Sequence, residues 1–174
     1  MKKDDLLVGG LAAVLVISLV TNNANANAKS IDPQPVTQMV QVTTKENVLF
    51  KYKNVKTLTD KDLKDLLAAV GFSGKSLKMA WAVAKSETNG QPIRVNVNES
   101  TGDNSWGLFQ INMIGDLGPD RRTKFELSSN AELLNPVKNA EIAFYMTDGG
   151  KDWSAWKNGE SPRVQEFLLK YSLI

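Results

Sequence analysis

One acid and three small polar side chains stand at spacings that could support chemistry: Glu87, then Ser105, Gln110 and Asn112. Glu87 closes an apolar run that has helical spacing, and the polar residues follow beyond a loop rich in Asn, Gly and Ser. A carboxyl on the buried side of a helix, near its C-terminal end, loses solvation and feels the negative end of the helix dipole. Both effects raise its pKa toward the value a general acid needs near neutral pH. Amide and hydroxyl groups opposite it offer donors and acceptors suited to hydroxyl and acetamido groups. The combination predicts an acid in a sheltered cleft facing a polar ligand of sugar size. Taken alone, a Glu at a helix end more often just turns out to solvent; the following segment is what makes it a candidate.

Composition narrows the chemistry further. The 174 residues include no Cys and no His, so thiolate nucleophiles, Cys-ligated zinc and imidazole bases are excluded. Acid–base work falls to Asp, Glu, Lys or Tyr. No metal or other cofactor is expected. The net charge of +2, without a concentrated basic stripe, gives no reason to expect nucleic acid as a partner.

The elements that must position these residues follow from periodicity and caps. Thr59-Asp-Lys-Asp62 has the form of a capping box opening a helix through Leu63, Leu66, Leu67 and Val70, closed by Gly71. A second helix starts near Ser73 or Ser76, with Leu77, Ala80, Trp81 and Ala84 as its apolar stripe and Lys75, Lys78, Lys85 and Ser86 on the solvated face. The next step of that stripe falls on position 87 or 88. Asn89-Gly90 and Pro92 end the helix, and Ile93, Val95 and Val97 alternate as a half-exposed strand. A turn over 99–104 leads into Ser105–Met113, where Gly107 permits close backbone approach by a ligand or by the Glu87 helix.

Together, Ala84-Lys-Ser-Glu-Thr-Asn-Gly90 and Ser105-Trp-Gly-Leu-Phe-Gln-Ile-Asn112 resemble the catalytic core of lysozyme-like muramidases and soluble lytic transglycosylases. Flanking segments extend the likeness over about residues 60 to 160: Gly71–Leu77, Met113–Arg122, Leu133–Ala140 and Trp153-Ser-Ala-Trp156 are similar to lysozyme-like domains of phage virion proteins. The resemblance implies a single α+β, predominantly helical domain acting on the β-1,4 bond between N-acetylmuramic acid and N-acetylglucosamine in peptidoglycan glycan strands. It implies Glu87 as catalytic acid/base, with Ser105, Gln110 and Asn112 lining the sugar cleft. Lysozymes of the hen-egg type carry Asp two residues before the motif Gly, where this chain has Ser105. That departure is similar to the lytic transglycosylases, in which the substrate's N-acetyl group assists a single Glu. Asp103, and Glu99 before it, are the nearby carboxylates that could stand in, although turns favour such residues for structural reasons. A hydrolytic muramidase, a non-catalytic wall-binding or virion structural module, and a purely anchoring membrane protein are the other readings.

After the motif, Arg121, Arg122 and Lys124 look like a solvated basic loop, with contact to a peptide carboxylate as the alternative. Asn135 and Pro136 open a helix with Val137, Ala140, Phe144 and Thr147 on one side, ended by Gly149-Gly150. Tyr145 is one residue off that stripe and could reach the cleft. Trp153 and Trp156 could stack on sugar faces or belong to the core. Ser161-Pro162 starts a docking helix with Val164, Phe167, Leu168 and Tyr171 on one face.

The first 28 residues form a separate problem. Lys2 and Lys3 precede an apolar run over residues 6–20 and small residues at Ala26 and Ala28. As a helix the run reaches about 22 Å, short of a hydrocarbon core of about 30 Å. A cleaved secretory signal and a retained membrane anchor both fit, placing the protein in the periplasm or cell envelope, with other virion proteins as partners if it is carried by a phage. Residues 29–57 have tether composition with weak alternation at Val36–Val42 and Val48–Tyr52 that fits one short strand or hairpin, leaving 58–174 for the lysozyme-like domain.

Overall fold

The computed structural model describes residues 45–173, and the expectations for residues 1–44 lie outside them. A helix across residues 45–52 (α1) precedes α2 (Asp60–Val70), α3 (Gly74–Thr88), strands β1 (Val95–Asn98), β2 (Asp103–Trp106) and β3 (Ile111–Asn112), then α4 (Leu117–Lys124), α5 (Pro136–Met146) and α6 (Pro162–Lys170). The domain is α+β and predominantly helical. Among the described residues, no helix is long and apolar enough to cross a membrane.

The caps act as their residue types dictate. Thr59 and Asp62 form a reciprocal capping box, with the Thr59 hydroxyl accepting from the Asp62 N–H. Gly71 ends α2 at φ 136°, where an added Cβ would press on the Phe144 ring at 3.0 Å. Asn135 accepts from the Val137 N–H at 3.0 Å, and Pro136 occupies the first turn of α5. The apolar stripe of α2 is buried as its spacing predicts. In α3 the buried residues are Ala80 to Ala84 and Thr88, with Leu77 only partly covered.

The α3 helix runs through the middle of the core. One flank receives α6: Trp81 meets Phe167 and Tyr171 edge-on, with ring centroids 6.0 and 5.6 Å apart. Phe72, just before α3, gathers Phe109, Phe144 and Trp153 around its ring. Lys85, assigned to the solvated face by the stripe, instead turns onto α2 and pairs with Asp60 at 2.8 Å, leaving 11% of its side chain exposed.

Two elements differ from expectation. Val48–Tyr52 is helical rather than extended, and Tyr52 is buried, donating its hydroxyl to Asp62 at 3.0 Å. Alternation over five residues is a weak signal, and here packing of Val48, Leu49 and Tyr52 on the core decides the conformation. The basic group Arg121–Lys124 lies on α4, not in a loop. Arg122 bonds the Asn130 side chain at 2.8 Å, and Arg121 donates to the Asn112 carbonyl.

The three strands form an antiparallel sheet in the order β1-β2-β3, with Asn96 opposite Ser105, Asn98 opposite Asp103 and Ser105 opposite Asn112. The strand expected to be half-exposed is exposed at every position of β1, Val95 and Val97 at 38% and 56%. Asn96, which alternates with the valines, lines the cleft.

Candidate active site

Two tethers fix the acid-bearing end of α3. Asn89 takes the left-handed conformation (φ 56°) and closes the helix through its N–H. The Thr88 hydroxyl lies 3.1 Å from the Ala84 carbonyl oxygen and 3.0 Å from that of Leu108, so the helix end is tied to the turn between β2 and β3. Thr88 is therefore the residue on the buried stripe, and Glu87 sits one position off it, at the cleft. The sequence left 87 and 88 open; the expectation that Glu87 projects from the buried side is corrected to a projection into an open cleft.

That cleft, of about 400 Å³, is lined by Glu87 from α3, Asn96, Asp103, Ser105 and Gln110 from the sheet and its turn, and a wall of Ala155, Trp156, Lys157, Ser161 and Val164. Its size suits a polar ligand of sugar dimensions. Glu87 is solvent-accessible by surface area, yet protein atoms crowd its carboxyl. Both hold for a group at the base of an open groove, which water touches but cannot fully surround. The pKa consequence is governed by the crowding: lost hydration pushes the Glu87 carboxyl up, the Arg163 and Lys157 charges pull it down, and the Asp103 charge adds to the rise. Among the described residues, the carboxyl accepts no hydrogen bond and forms no salt bridge, so it is free to meet a ligand.

Asp103 faces the same cleft. Strand alternation puts Asp103 and Ser105 on one face of β2, where the Ser105 hydroxyl donates to Asp103 Oδ1 and Asn96 Nδ2 donates to Oδ2 at 2.5 Å. The carboxylate is thus clamped from both sides. Gln110 reaches the cleft from a tight turn at φ 49°, its Nε2 donating to the Gly107 and Arg94 carbonyls at 2.9 and 3.2 Å.

Two predicted site residues fall elsewhere. Asn112 does not line the cleft: its Oδ1 accepts from the Ile114 and Asn104 N–H groups at 3.0 and 3.3 Å, a local role that shapes the strand end. Tyr145 lies on another surface, 61% exposed, its ring edge-on to Phe125 and under Lys124 Nζ. One position off the buried stripe of α5 turns it away from the core. The Glu99 side chain is outside the described residues. Trp153 belongs to the core, whereas Trp156 forms part of the cleft wall and donates its Nε1–H to the Phe109 carbonyl at 2.9 Å.

Gly107 does serve a close approach, but not to a ligand or to α3. A Cβ there (φ 75°) would lie 2.0 Å from the Leu133 carbonyl oxygen and 2.3 Å from Asn139 Nδ2. Asn139, fully buried, accepts from the Phe109 N–H at 2.8 Å and donates to the Trp106 and Leu133 carbonyls at 3.0 and 2.9 Å. It holds the motif turn onto α5. Composition gave no signal for it beyond an amide at a buried helical position. Asn96 was legible only as the polar alternate of β1, and Lys157 and Ser161 arrive from segments distant in sequence.

An acid at the end of a buried helix, opposite a short antiparallel sheet whose turn supplies an amide, defines the class of lysozyme-like glycosidase clefts. Residues 64–158 match the family model described as a lysozyme like domain, and the chain belongs to that family. Peptidoglycan-directed glycosidase activity, in its general form, comes with this membership. No curated protein and no solved structure matches the chain.

Proposed function

We propose that the protein cleaves the β-1,4 bond between N-acetylmuramic acid and N-acetylglucosamine as a lytic transglycosylase. The observation that carries this reading is the Glu87 carboxyl, without a salt bridge among the described residues and held toward its protonated form in the cleft chiefly by lost hydration. Glu87 gives its proton to the leaving glycosidic oxygen as the C1–O bond breaks. The positive charge growing at C1 is stabilised by the substrate's own N-acetyl group and by the clamped Asp103 carboxylate across the cleft. Glu87, now ionised, takes the proton of the muramoyl 6-hydroxyl as that oxygen closes on C1, giving the 1,6-anhydro product. Both Asp103 oxygens already accept hydrogen bonds, which favours a fixed-charge role over that of a mobile base.

A hydrolytic course is the second reading, favoured by the presence of Asp103 in the cleft at all. There, water replaces the 6-hydroxyl as the group that Glu87 or Asp103 activates. Mass spectrometry of digested peptidoglycan separates the two: anhydro-muramoyl ends support the first, and reducing ends alone overturn it. A non-catalytic wall-binding or virion structural module of the same fold predicts that Glu87→Gln releases as much soluble material from purified walls as wild type.

For location, we propose that residues 1–28 export the domain or anchor it at the cell envelope, and that it serves local wall penetration as part of a phage virion. The basic start and apolar run support the first element, and the likeness to virion domains the second. Intact mass of the mature protein tests the former, and its detection in purified particles the latter.

A further inference from the structure

The wall of the cleft formed after Trp153 carries cations where a general acid would be better served without them. Lys157 lines the cleft, and Arg163 stands in the first turn of α6 between two lining residues, Ser161 and Val164. Neither forms a salt bridge among the described residues, and both are exposed. The Arg163 guanidinium lies 6.0 Å from the centre of the Phe167 ring, and its charge also acts on Glu166 of the same helix. The charges of both act on the Glu87 carboxyl and favour its ionised form.

The backbone carrying Lys157 is fixed on both sides. Trp156, before it, is bonded to the Phe109 carbonyl, and Gly159, after it, accepts from Gln165 Nε2 at 2.8 Å. A Cβ on Gly159 would collide with Met79 Sδ at 2.6 Å, so this turn is pressed against α3. Lys157 itself takes φ 51°, a left-handed conformation uncommon for a residue with a Cβ. Two exposed cations with no salt bridge among the described residues, one lining a sugar-sized cleft and one on the helix turn between two lining residues, make a place for an anion.

We propose that Lys157 and Arg163 form a carboxylate-binding subsite at the lip of the cleft. This rests on the reading of the cleft as a peptidoglycan glycosidase site, and it deepens that reading by naming what distinguishes the polymer from a neutral glycan. Carboxylates come from two sources on such strands: the lactyl substituent of the muramoyl ring once its peptide is gone, and the acidic residues of an attached stem peptide. Arginine offers a planar fork and lysine a compact charge, a pairing suited to one carboxylate or two neighbouring ones. A seated anion also offsets the two charges that pull the Glu87 pKa down, so substrate binding and the protonated acid become coupled.

The test is binding in a full-length Glu87→Gln background, which removes turnover, with wild-type cleavage followed separately. Three ligands of equal length serve as probes: peptide-bearing strands, amidase-stripped strands keeping only lactyl carboxylates, and neutral β-1,4-linked N-acetylglucosamine oligomers. The subsite predicts at least tenfold tighter binding of one or both anionic ligands than of the neutral one. Addition of Lys157→Gln and Arg163→Gln brings the ratio close to one, and added salt narrows the wild-type ratio. Preference for both anionic ligands assigns the lactyl group; preference for peptide-bearing strands alone assigns the stem peptide. Equal affinities for all three, or a preference that survives the double substitution, overturns the subsite. Absence of cleavage by wild type overturns the glycosidase reading instead, and a charge-dependent preference then still supports the subsite.

Discussion

The Thr88 hydroxyl lies 3.0 Å from the Leu108 carbonyl oxygen, joining the last residue of α3 to the turn that presents Gln110. Glu87 precedes Thr88, so this bond sets how far the acid stands from the sheet wall. Thr88→Val keeps the shape and the burial but removes the hydroxyl. Loss of one buried hydrogen bond, leaving the Leu108 carbonyl without this partner, costs about 1–2 kcal/mol by urea unfolding. Activity on purified walls falls by about tenfold or more, since small displacements of a catalytic group are expensive in rate. A variant with lowered stability and unchanged turnover would show that the tether does not position Glu87.

Asn139 makes a sharper claim on stability. Its side chain satisfies three buried backbone groups, on Trp106, Phe109 and Leu133. Asn139→Ala leaves them without these bonds and is expected to cost about 3 kcal/mol or more, with the urea midpoint as the measurement. Gly107→Ala attacks the same junction from the other side, by forcing a Cβ into the Leu133 carbonyl, and is expected to cost at least as much. Either variant unfolding within about 0.5 kcal/mol of wild type would mean that the junction relaxes freely.

How much of this was legible in the sequence depends on how local each signal is. The capping box of α2, the Asn135-Pro136 start of α5 and the Val164–Phe167 face of α6 rest on neighbours within a turn or two, and they appear where spacing places them. The α4 helix was hidden by Gly118-Pro119 and by a composition with almost no apolar stripe. The helix over 45–52 owes its conformation to packing that no five-residue window contains. At the site, Glu87, Asp103, Ser105 and Gln110 come together because the motif is nearly contiguous across one helix end and one sheet. Asn112 and Tyr145 were drawn toward the cleft by proximity in sequence or near-registry, and each is taken by a local partner instead. In the wall at 155–164 only Trp156 was offered by the sequence, as one of two Trp that could stack on a sugar; Lys157 and Ser161 are brought there by tertiary contact, which no spacing rule contains.

Glu87 also leaves a mark on stability. Its pKa in the folded protein is raised above the ordinary glutamate value, so the native state keeps this proton to higher pH than the unfolded chain. Stability therefore falls as pH rises from the ordinary glutamate range through the folded value, and is level beyond it. Glu87→Gln cannot lose a proton, so its melting temperature should equal or exceed that of wild type near neutral pH, and the advantage should vanish in acid. Wall-lytic activity should drop by about 10²- to 10⁴-fold in the same variant. A lower melting temperature than wild type at neutral pH would contradict the crowded, desolvated carboxyl.

Asp103 and the cationic lip act on Glu87 with opposite sign, which gives a paired pH experiment. The Asp103 charge disfavours ionisation of Glu87, so Asp103→Asn lowers the Glu87 pKa and moves the alkaline limb of the kcat/KM profile to lower pH. Lys157→Gln removes a charge that favours ionisation and moves the same limb to higher pH. Asp103→Asn should also reduce kcat by roughly tenfold to a hundredfold, through loss of the fixed negative charge that stabilises positive charge at C1. The Ser105 and Asn96 donors can rearrange around the new amide, so the limb shift is the more telling readout. Both substitutions moving the limb in one direction, or Asp103→Asn moving it upward, would refute the assigned electrostatics of the cleft.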